Sequence, residues 1–161
     1  MTIDVLTKVE IRRPRAEVAA FASDPNNATR WYRNIVSARP ETSGPLEVGS
    51  RIAFEARFLG RRMAYTYEVV EIVPGERLVM STAEGPFPMQ TTYTFSDAPG
   101  GGTRMALRNR GGPSGILRLA DPLMSVAVRR PATRDLRRLK AILEDRSGSS
   151  GSGSVPGFPR D

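Results

Sequence analysis

The sequence contains no cysteine and no histidine. Without cysteine the chain forms no disulfide and carries no thiolate nucleophile, and without histidine it lacks the commonest general base. These two absences exclude Ser-His-Asp and Cys-His catalytic machinery, and they exclude zinc and iron sites built on the same side chains. Proton chemistry must therefore come from Asp, Glu, Tyr, Lys or water. We accordingly expect no metal and no cofactor.

Lysine is scarce, and long apolar runs are missing. The only lysines are Lys8 and Lys140, so arginine carries almost all of the net charge of +7. No apolar run approaches the roughly 20 residues that cross a bilayer, and the first residues form no charged-then-apolar leader. A cytoplasmic protein without a transmembrane segment is predicted. At 161 residues, 39% of them hydrophobic, the chain is long enough for one domain with a core and a cavity. The sequence leaves the oligomeric state open between a monomer and a homodimer.

Most of the chain alternates apolar and polar residues with the period of a half-buried strand. Pro14 opens a short helix after the first strand, and Asp24-Pro25 separates it from a second one that contains Trp31. Trp31 is interpreted as a packing anchor or as a lid over a pocket. The pattern indicates an α+β fold, with two short helices between the first two strands and then an antiparallel meander. The predicted strands are residues 2–12, 35–41, 48–58, 62–73, 78–84, 89–95 and 105–109.

Residues 114–145 carry apolar side chains at steps of three and four, which predicts a long helix with one apolar face. The helix is expected to begin near Asp121, where Pro122 suits the first turn. Pro131 lies inside the periodic run and predicts a kink, because the apolar face keeps its phase across it. The apolar face consists of Leu117, Ala120, Met124, Val128, Ala132, Leu136, Leu139 and Leu143.

The composition changes after the helix. Residues 147–161 are rich in glycine, serine and proline and offer almost nothing to bury, which predicts a flexible tail. The predicted organisation is therefore one domain over residues 1–146 and a tail over residues 147–161.

Several stretches, in this order, resemble the polyketide cyclase/dehydrase-like branch of the SRPBCC/START superfamily: IRRPRAEVAAFASDP, RWY, VGSRI, YEVVEIVPGERL, YTFSDAPGGGTRM and LRRLKAILE. The resemblance covers residues 1–145. It implies a helix-grip fold, in which a bent seven-stranded antiparallel sheet grips the C-terminal helix and leaves a hydrophobic cavity between them. Members of this superfamily bind lipids, sterols, polyketides or hormones, and a minority catalyse cyclisation or dehydration.

Strand alternation places large apolar side chains and a few hydroxyls on the concave face of such a sheet. Apolar walls with a few polar groups are typical of a small-molecule pocket. Buried hydroxyls and amides also need partners, water or a ligand, because leaving one unpaired costs on the order of 1 to 3 kcal/mol. The predicted ligand-binding residues are Phe54, Phe58, Tyr65, Tyr67, Met80, Thr82, Met89, Thr91, Tyr93, Asn109, Met124 and Val128.

Catalytic candidates are few. Glu84 falls on the inward row at the end of its strand, where the cost of burying a charge places it at the rim of the cavity. It is interpreted as an ordinary strand-end charge or as the available general base, with Tyr65, Tyr67 or Tyr93 as hydrogen-bond donor. In cyclase members of the resembled family, cavity tyrosines and arginines hold a polyketide carbonyl. Here Arg57 and Arg108 fall on outward rows, so alternation directs only tyrosines inward. This difference favours a binding protein over an enzyme.

Three functions stay open on the sequence. The leading hypothesis is a protein that binds a small hydrophobic molecule, such as a lipid or polyketide, between the C-terminal helix and the sheet. The first alternative is a polyketide cyclase, aromatase or dehydratase acting in the same cavity. The second is an interaction module that uses the arginine-rich face of the last helix, which consists of Arg129, Arg130, Arg134, Arg137, Arg138 and Lys140. Nucleic acid is not favoured as a partner, because no recognition-helix or aromatic-plus-basic strand pattern accompanies the arginines.

Overall fold

The computed structural model describes residues 3–58, 60–85, 88–111 and 121–145, with residues 121–128 described by their backbone alone. Within these ranges the chain forms seven strands and three α-helices, with single 3-10 turns at Pro25–Asn27 and Pro99–Gly101. The strands are β1 (Ile3–Ile11), β2 (Ile35–Pro40), β3 (Arg51–Phe58), β4 (Arg61–Val73), β5 (Arg77–Glu84), β6 (Met89–Asp97) and β7 (Thr103–Gly111). The helices are α1 (Arg15–Ser23), α2 (Ala28–Trp31) and α3 (Asp121–Asp145).

The seven strands form one curled antiparallel sheet in the order β1-β7-β6-β5-β4-β3-β2. Every pair of neighbours except β1 and β7 is consecutive in the chain, so a meander builds most of the sheet. The first strand then pairs with the last along its whole length, from Ile3 opposite Gly111 to Ile11 opposite Thr103. The predicted α+β fold is confirmed, including the two short helical segments between β1 and β2.

Alternation decides which face of each strand is buried. In β1 the side chains of Ile3, Val5 and Ile11 lie in the core, while Asp4 and Glu10 point to solvent. The outer face carries cross-strand arginine–carboxylate pairs, including Arg108 with Asp4 at 2.6 Å and Arg104 with Glu10 at 2.7 Å. Exposed pairs of this kind contribute at most about 1 kcal/mol each, so the buried concave face supplies most of the stability.

Helix α3 closes the concave side of the sheet. Its predicted apolar face is buried at Ala132, Leu136, Leu139 and Leu143, and the helix runs continuously through Pro131. Of the other predicted positions on that face, Leu117 and Ala120 and the side chains of Met124 and Val128 lie outside the described residues. So does the predicted tail, residues 147–161.

The end of α3 is tied to the end of β1. The Nζ of Lys140 donates to the carbonyl oxygen of Glu10 at 2.6 Å and to Oε1 of Glu144 at 2.8 Å. The backbone N–H of Arg12 donates to the same Glu144 oxygen at 3.0 Å. These contacts fix the helix against the edge strand, which sets its distance from the rest of the sheet.

The short helices brace the other edge. Asp24 accepts a hydrogen bond from the backbone N–H of Asn26 at 2.9 Å and so caps the 3-10 turn. Trp31, at the end of α2, is fully buried in the core. No helix in the described part of the chain is long and apolar enough to cross a membrane.

Candidate functional site

A cavity of about 190 Å³ lies between the concave face of the sheet and α3. An apolar cavity of about 150 Å³ holds benzene, so this volume accommodates a molecule of roughly one or two rings. All four tyrosines of the chain, Tyr32, Tyr65, Tyr67 and Tyr93, line it. The remaining lining is mostly aliphatic or aromatic, with a few polar side chains.

Every predicted ligand-binding residue whose side chain is described lies on the wall of this cavity. That these residues bind a ligand stays a prediction, and the structure shows only that it brings them together. They are Phe54, Phe58, Tyr65, Tyr67, Met80, Thr82, Met89, Thr91, Tyr93 and Asn109. The other two predicted positions, Met124 and Val128, fall where side chains are not described.

The cavity hydroxyls are largely paired with one another. Thr91 Oγ1 donates to Asn109 Oδ1 at 2.9 Å, and Thr91 Oγ1 shares a hydrogen bond with the hydroxyl of Tyr67 at 2.9 Å. Thr82 Oγ1 accepts from the backbone N–H of Met89 at 2.9 Å and donates to the Met89 carbonyl oxygen at 3.1 Å. Such groups were expected to need a protein partner, water or a ligand. Thr82 and Thr91 find protein partners on neighbouring strands.

Tyr93 is satisfied in the same manner by a residue from the end of α2. Its hydroxyl shares a hydrogen bond of 2.5 Å with that of Tyr32, the residue that follows the helix. The ring of Tyr32 stacks on Trp31 with centroids 3.8 Å apart. Trp31 is thus a packing anchor behind a cavity-lining tyrosine and does not itself line the cavity.

The electrostatics keep these tyrosines protonated at neutral pH. Burial raises the pKa of Tyr65 and Tyr93 and raises that of Tyr32 well above its ordinary value. Burial also raises the pKa of Tyr67, against the opposing effect of its hydrogen bond to Thr91. The hydroxyls can therefore donate hydrogen bonds, but they do not supply a tyrosinate base.

Asp135, on α3, lies on the cavity wall with only 4% of its surface exposed. Burial raises the pKa of its carboxyl, an effect opposed by the backbone N–H of Arg33, which donates to Oδ1 at 3.1 Å. Among the described lining residues it is the one carboxylate. It therefore takes the place that the sequence had assigned to Glu84.

Glu84 does not reach the cavity, and the prediction that it lies on the inward row is wrong. Its side chain is 74% exposed and lies 3.5 Å from Arg51 on the outer face. The cause is a β-bulge: Tyr67 pairs with Thr82 and Thr66 with Glu84, so Ala83 is an extra residue on β5. One extra residue reverses the alternation and turns Glu84 outward.

Sequence reasoning missed two functional candidates, Tyr32 and Asp135. A signal for Asp135 was present, because it lies three residues after Ala132 and four before Leu139, which places it on the apolar face of α3. An acidic residue at that phase must be buried or must disrupt the face. For Tyr32 there was no periodic signal, since α2 has a single turn.

A second hollow, of about 680 Å³, lies between α1 and the turn that joins β4 to β5. Its lining is mainly alanine, proline and glycine, and no tyrosine or threonine contributes to it. Asp24, its one carboxylate, already caps the 3-10 turn. Its other polar side chains are Ser23, Asn26 and Arg77. The tyrosine-lined cavity is the candidate site because its walls are mainly apolar and aromatic and a few polar groups converge on one space, as is typical of a small-molecule pocket.

The arginine-rich face of α3 is exposed. Arg130, Arg134 and Arg137 have no ion pair with any described carboxylate, whereas most arginines of the sheet do. Arg138 donates through Nε to the carbonyl oxygen of Arg30 at 2.6 Å. Within the described ranges no group of three or more acidic, histidine or cysteine side chains could hold a metal ion.

Comparison with known proteins agrees with this geometry. The family described as polyketide cyclase / dehydrase and lipid transport matches residues 2–144. No curated protein matches the sequence significantly.

Solved structures share the fold at low sequence identity. The Zhui aromatase/cyclase from Streptomyces sp. R1128 is 14% identical with a TM-score of 0.79, over 94% of this chain and 99% of that one. A START superfamily protein from Mycobacterium smegmatis is 11% identical with a TM-score of 0.77, over 89% of this chain and 98% of that one. A protein from Thermus thermophilus is 19% identical with a TM-score of 0.75, over 92% and 99% of the two chains. The helix-grip fold expected from the sequence is thereby confirmed.

Proposed function

From the premise that this chain belongs to the polyketide cyclase / dehydrase and lipid transport family, we propose that it binds a small hydrophobic molecule in the cavity between α3 and the sheet. One observation carries the proposal: all four tyrosines converge on a single, mainly apolar cavity. Three of the four hydroxyls are already paired within the protein, yet a space of about 190 Å³ remains among them. Because protein interiors hold few voids larger than a water molecule, an apolar space of this size is better explained by a ligand than by core packing.

Apolar area supplies most of the affinity in this proposal. Phe54, Tyr65 and Tyr67 form one aromatic wall, with ring centroids 5.1 to 5.6 Å apart. Met80 and Leu107 add aliphatic surface. Because each buried square ångström of apolar surface contributes about 25 cal/mol, a ligand of one or two rings gains most of its binding free energy from these walls.

The test is a thermal-shift measurement with small phenols, flavonoids, polyketide fragments and fatty acids. A ligand at about 100 times its Kd stabilises the protein by about 2.7 kcal/mol, which raises the Tm by roughly 5 to 10 °C for a chain of this size. Trp31 gives a second readout, since it is the only tryptophan and stacks on cavity-lining Tyr32.

A matched pair of variants on α3 locates the binding. Ala132 is buried on the cavity wall and Ala141 is exposed on the opposite side of the same helix. We expect Ala132→Phe to fill the cavity and abolish the ligand-induced shift, and Ala141→Phe to preserve it. A panel that shifts neither the Tm nor the Trp31 fluorescence of the wild-type protein would contradict the proposal.

The second candidate function is a cyclase or dehydratase, and Asp135 is the observation that favours it. A buried carboxylate beside protonated tyrosines can remove a proton from carbon while a tyrosine hydroxyl donates to the carbonyl oxygen that gains the charge. Tyr93 is the candidate donor, since the charge of Asp135 contributes to raising its pKa.

Proton abstraction can be measured apart from any natural substrate. In D2O, deuterium exchange at the methyl carbon of acetophenone is followed by NMR in the presence of the wild-type protein, Asp135→Asn and Asp145→Asn. The enzyme function predicts faster exchange with the wild-type protein and Asp145→Asn than with Asp135→Asn. If all three proteins bind the ketone but exchange is no faster than in buffer, the enzyme function is refuted and only the binding function stands.

A further inference from the structure

Asp135 has hydrogen-bonding capacity that the described residues do not fill. The residue is 4% exposed and forms part of the cavity wall. The described residues give it one hydrogen bond, from the backbone N–H of Arg33 to Oδ1. A buried carboxylate has capacity for several hydrogen bonds, so Oδ2 can accept from a molecule in the cavity.

The charges around Asp135 lie away from the cavity. Arg134 and Arg138 flank it on α3 and Arg33 precedes β2, and all three are exposed. On the facing sheet the titratable neighbour is Tyr93, which is already paired with Tyr32. No described arginine other than Arg57, itself exposed on β3, contributes to the cavity wall. A ligand near Asp135 therefore meets a negative group without an adjacent buried cation.

The other polar groups of the cavity are neutral apart from Arg57, and most of them are already paired, the hydroxyl of Tyr65 being without a hydrogen bond to the described residues. Thr82 is saturated by the Met89 backbone, while Tyr67 and Asn109 are both engaged with Thr91. A hydrogen bond to an ionised acceptor is also roughly twice as strong as one between neutral groups. The strongest hydrogen bond open to a ligand in this cavity is therefore one that the ligand donates to Asp135.

We propose that Asp135 sets the ligand class: it accepts a hydrogen bond from an O–H or N–H group at one end of an otherwise apolar molecule and excludes molecules that end in a carboxylate. This inference rests on the proposed binding function. It adds that fatty acids and aromatic acids are poor ligands, while phenols, alcohols and neutral amines of the same shape are good ones.

Four probes that share a tert-butylphenyl group test it by isothermal titration calorimetry: para-tert-butylphenol, para-tert-butylaniline, para-tert-butylbenzoate and tert-butylbenzene. Because burial raises the pKa of Asp135 above its ordinary range, the buffer is held at about pH 8, several units above that range and still below the pKa of the phenol. For the wild-type protein we expect the phenol to bind about tenfold or more tightly than tert-butylbenzene, and the benzoate more weakly than tert-butylbenzene. The aniline arm separates N–H from O–H donors, and binding by either one supports the inference.

Asp135→Asn removes the charge with little change of shape. We expect this substitution to weaken the binding of the phenol by about tenfold and to strengthen the binding of the benzoate, with the affinity for tert-butylbenzene unchanged. Asp145→Asn, the same substitution at the exposed end of α3, is expected to leave all four affinities unchanged. If Asp135→Asn fails to fold, the order of the four probes on the wild-type protein still tests the inference.

The outcomes separate this inference from the function on which it rests. If no probe binds the wild-type protein, the proposed function itself fails. If the probes bind but the benzoate is as tight as the phenol, or if the order is the same in Asp135→Asn, binding stands and the role of Asp135 is refuted.

Discussion

Thr91 connects the two halves of the cavity's hydrogen-bond network, and Thr91→Val tests that connection without changing side-chain volume. The hydroxyl bonds to Tyr67 and to Asn109, each at 2.9 Å, and Thr91 is 4% exposed. Valine replaces the hydroxyl by a methyl group of the same size, so packing is preserved. What is lost is the pair of hydrogen bonds.

The magnitude follows from that loss. A buried hydrogen bond contributes about 0.5 to 1.5 kcal/mol net, so two bonds predict a destabilisation of about 1 to 3 kcal/mol. Phenylalanine at position 67 removes one of the same bonds. The double variant Thr91→Val, Tyr67→Phe should therefore lose less than the sum of the single variants, by about 1 kcal/mol.

The assay is urea unfolding, with the midpoint and its slope compared between variants. Thr92→Val is the matched control: Thr92 is the next residue on β6, 8% exposed, and forms no side-chain hydrogen bond with the described residues. We expect it to change stability by less than about 0.5 kcal/mol. Equal effects of Thr91→Val and Thr92→Val, or strict additivity with Tyr67→Phe, would refute the network as a source of stability.

Three further predictions concern α3. The hydrogen bonds from Lys140 and Arg12 lower the pKa of the Glu144 carboxyl from 4.5 to about 2 in the folded state, so Glu144 should stabilise the protein above pH 4.5. The difference in Tm between the wild-type protein and Glu144→Gln should therefore disappear as the pH falls from 4.5 to 2. A difference in Tm that does not depend on pH would contradict this prediction. Leu139→Ala, at a fully buried position, should lower the free energy of unfolding by about 2 to 5 kcal/mol, as measured by urea unfolding. Leu6→Ala, at a half-exposed position, should lower it by less than about 1 kcal/mol. Similar losses in the two variants would contradict the placement of Leu139 in the core. If the arginine face of α3 meets an acidic partner, retention on heparin should fall steeply with salt and should weaken when Arg130, Arg134 and Arg138 are changed to Gln, and unaltered retention would exclude this face.

The sheet could be predicted from the sequence because the alternation of apolar and polar residues in each strand shows which of its faces is buried. The two-residue period is local, so alternation in β1, β3 and β6 is readable without knowing what the strand packs against. The same holds for α3, whose apolar face keeps its phase through Pro131. The cavity wall followed from these faces once the resemblance supplied the arrangement of sheet and helix.

The errors arose where an interaction is not local. Whether Ala83 is paired or bulged depends on the register of β5 against β4, and a single extra residue sent Glu84 to the outer face. The place of Asp135 on the apolar face of α3 could be read from its spacing, but its partner, the N–H of Arg33 just after α2, lies more than a hundred residues away in the chain. Neither the register of β5 nor the partner of Asp135 is recorded in the neighbouring sequence.

The polar network also explains why most of the ligand's affinity should come from its apolar area, with the one hydrogen bond at Asp135 setting its class. Tyr32 and Tyr93 satisfy each other, and Thr91 satisfies Tyr67 and Asn109, so a ligand that breaks these pairs must replace bonds that already exist. Exchanging one hydrogen bond for another gains little free energy. A ligand with many polar groups would therefore gain less here than an apolar one of equal size with a single donor. Affinity should rise with buried apolar area up to the volume of the cavity, and added hydroxyls should be tolerated only at the end that faces Asp135.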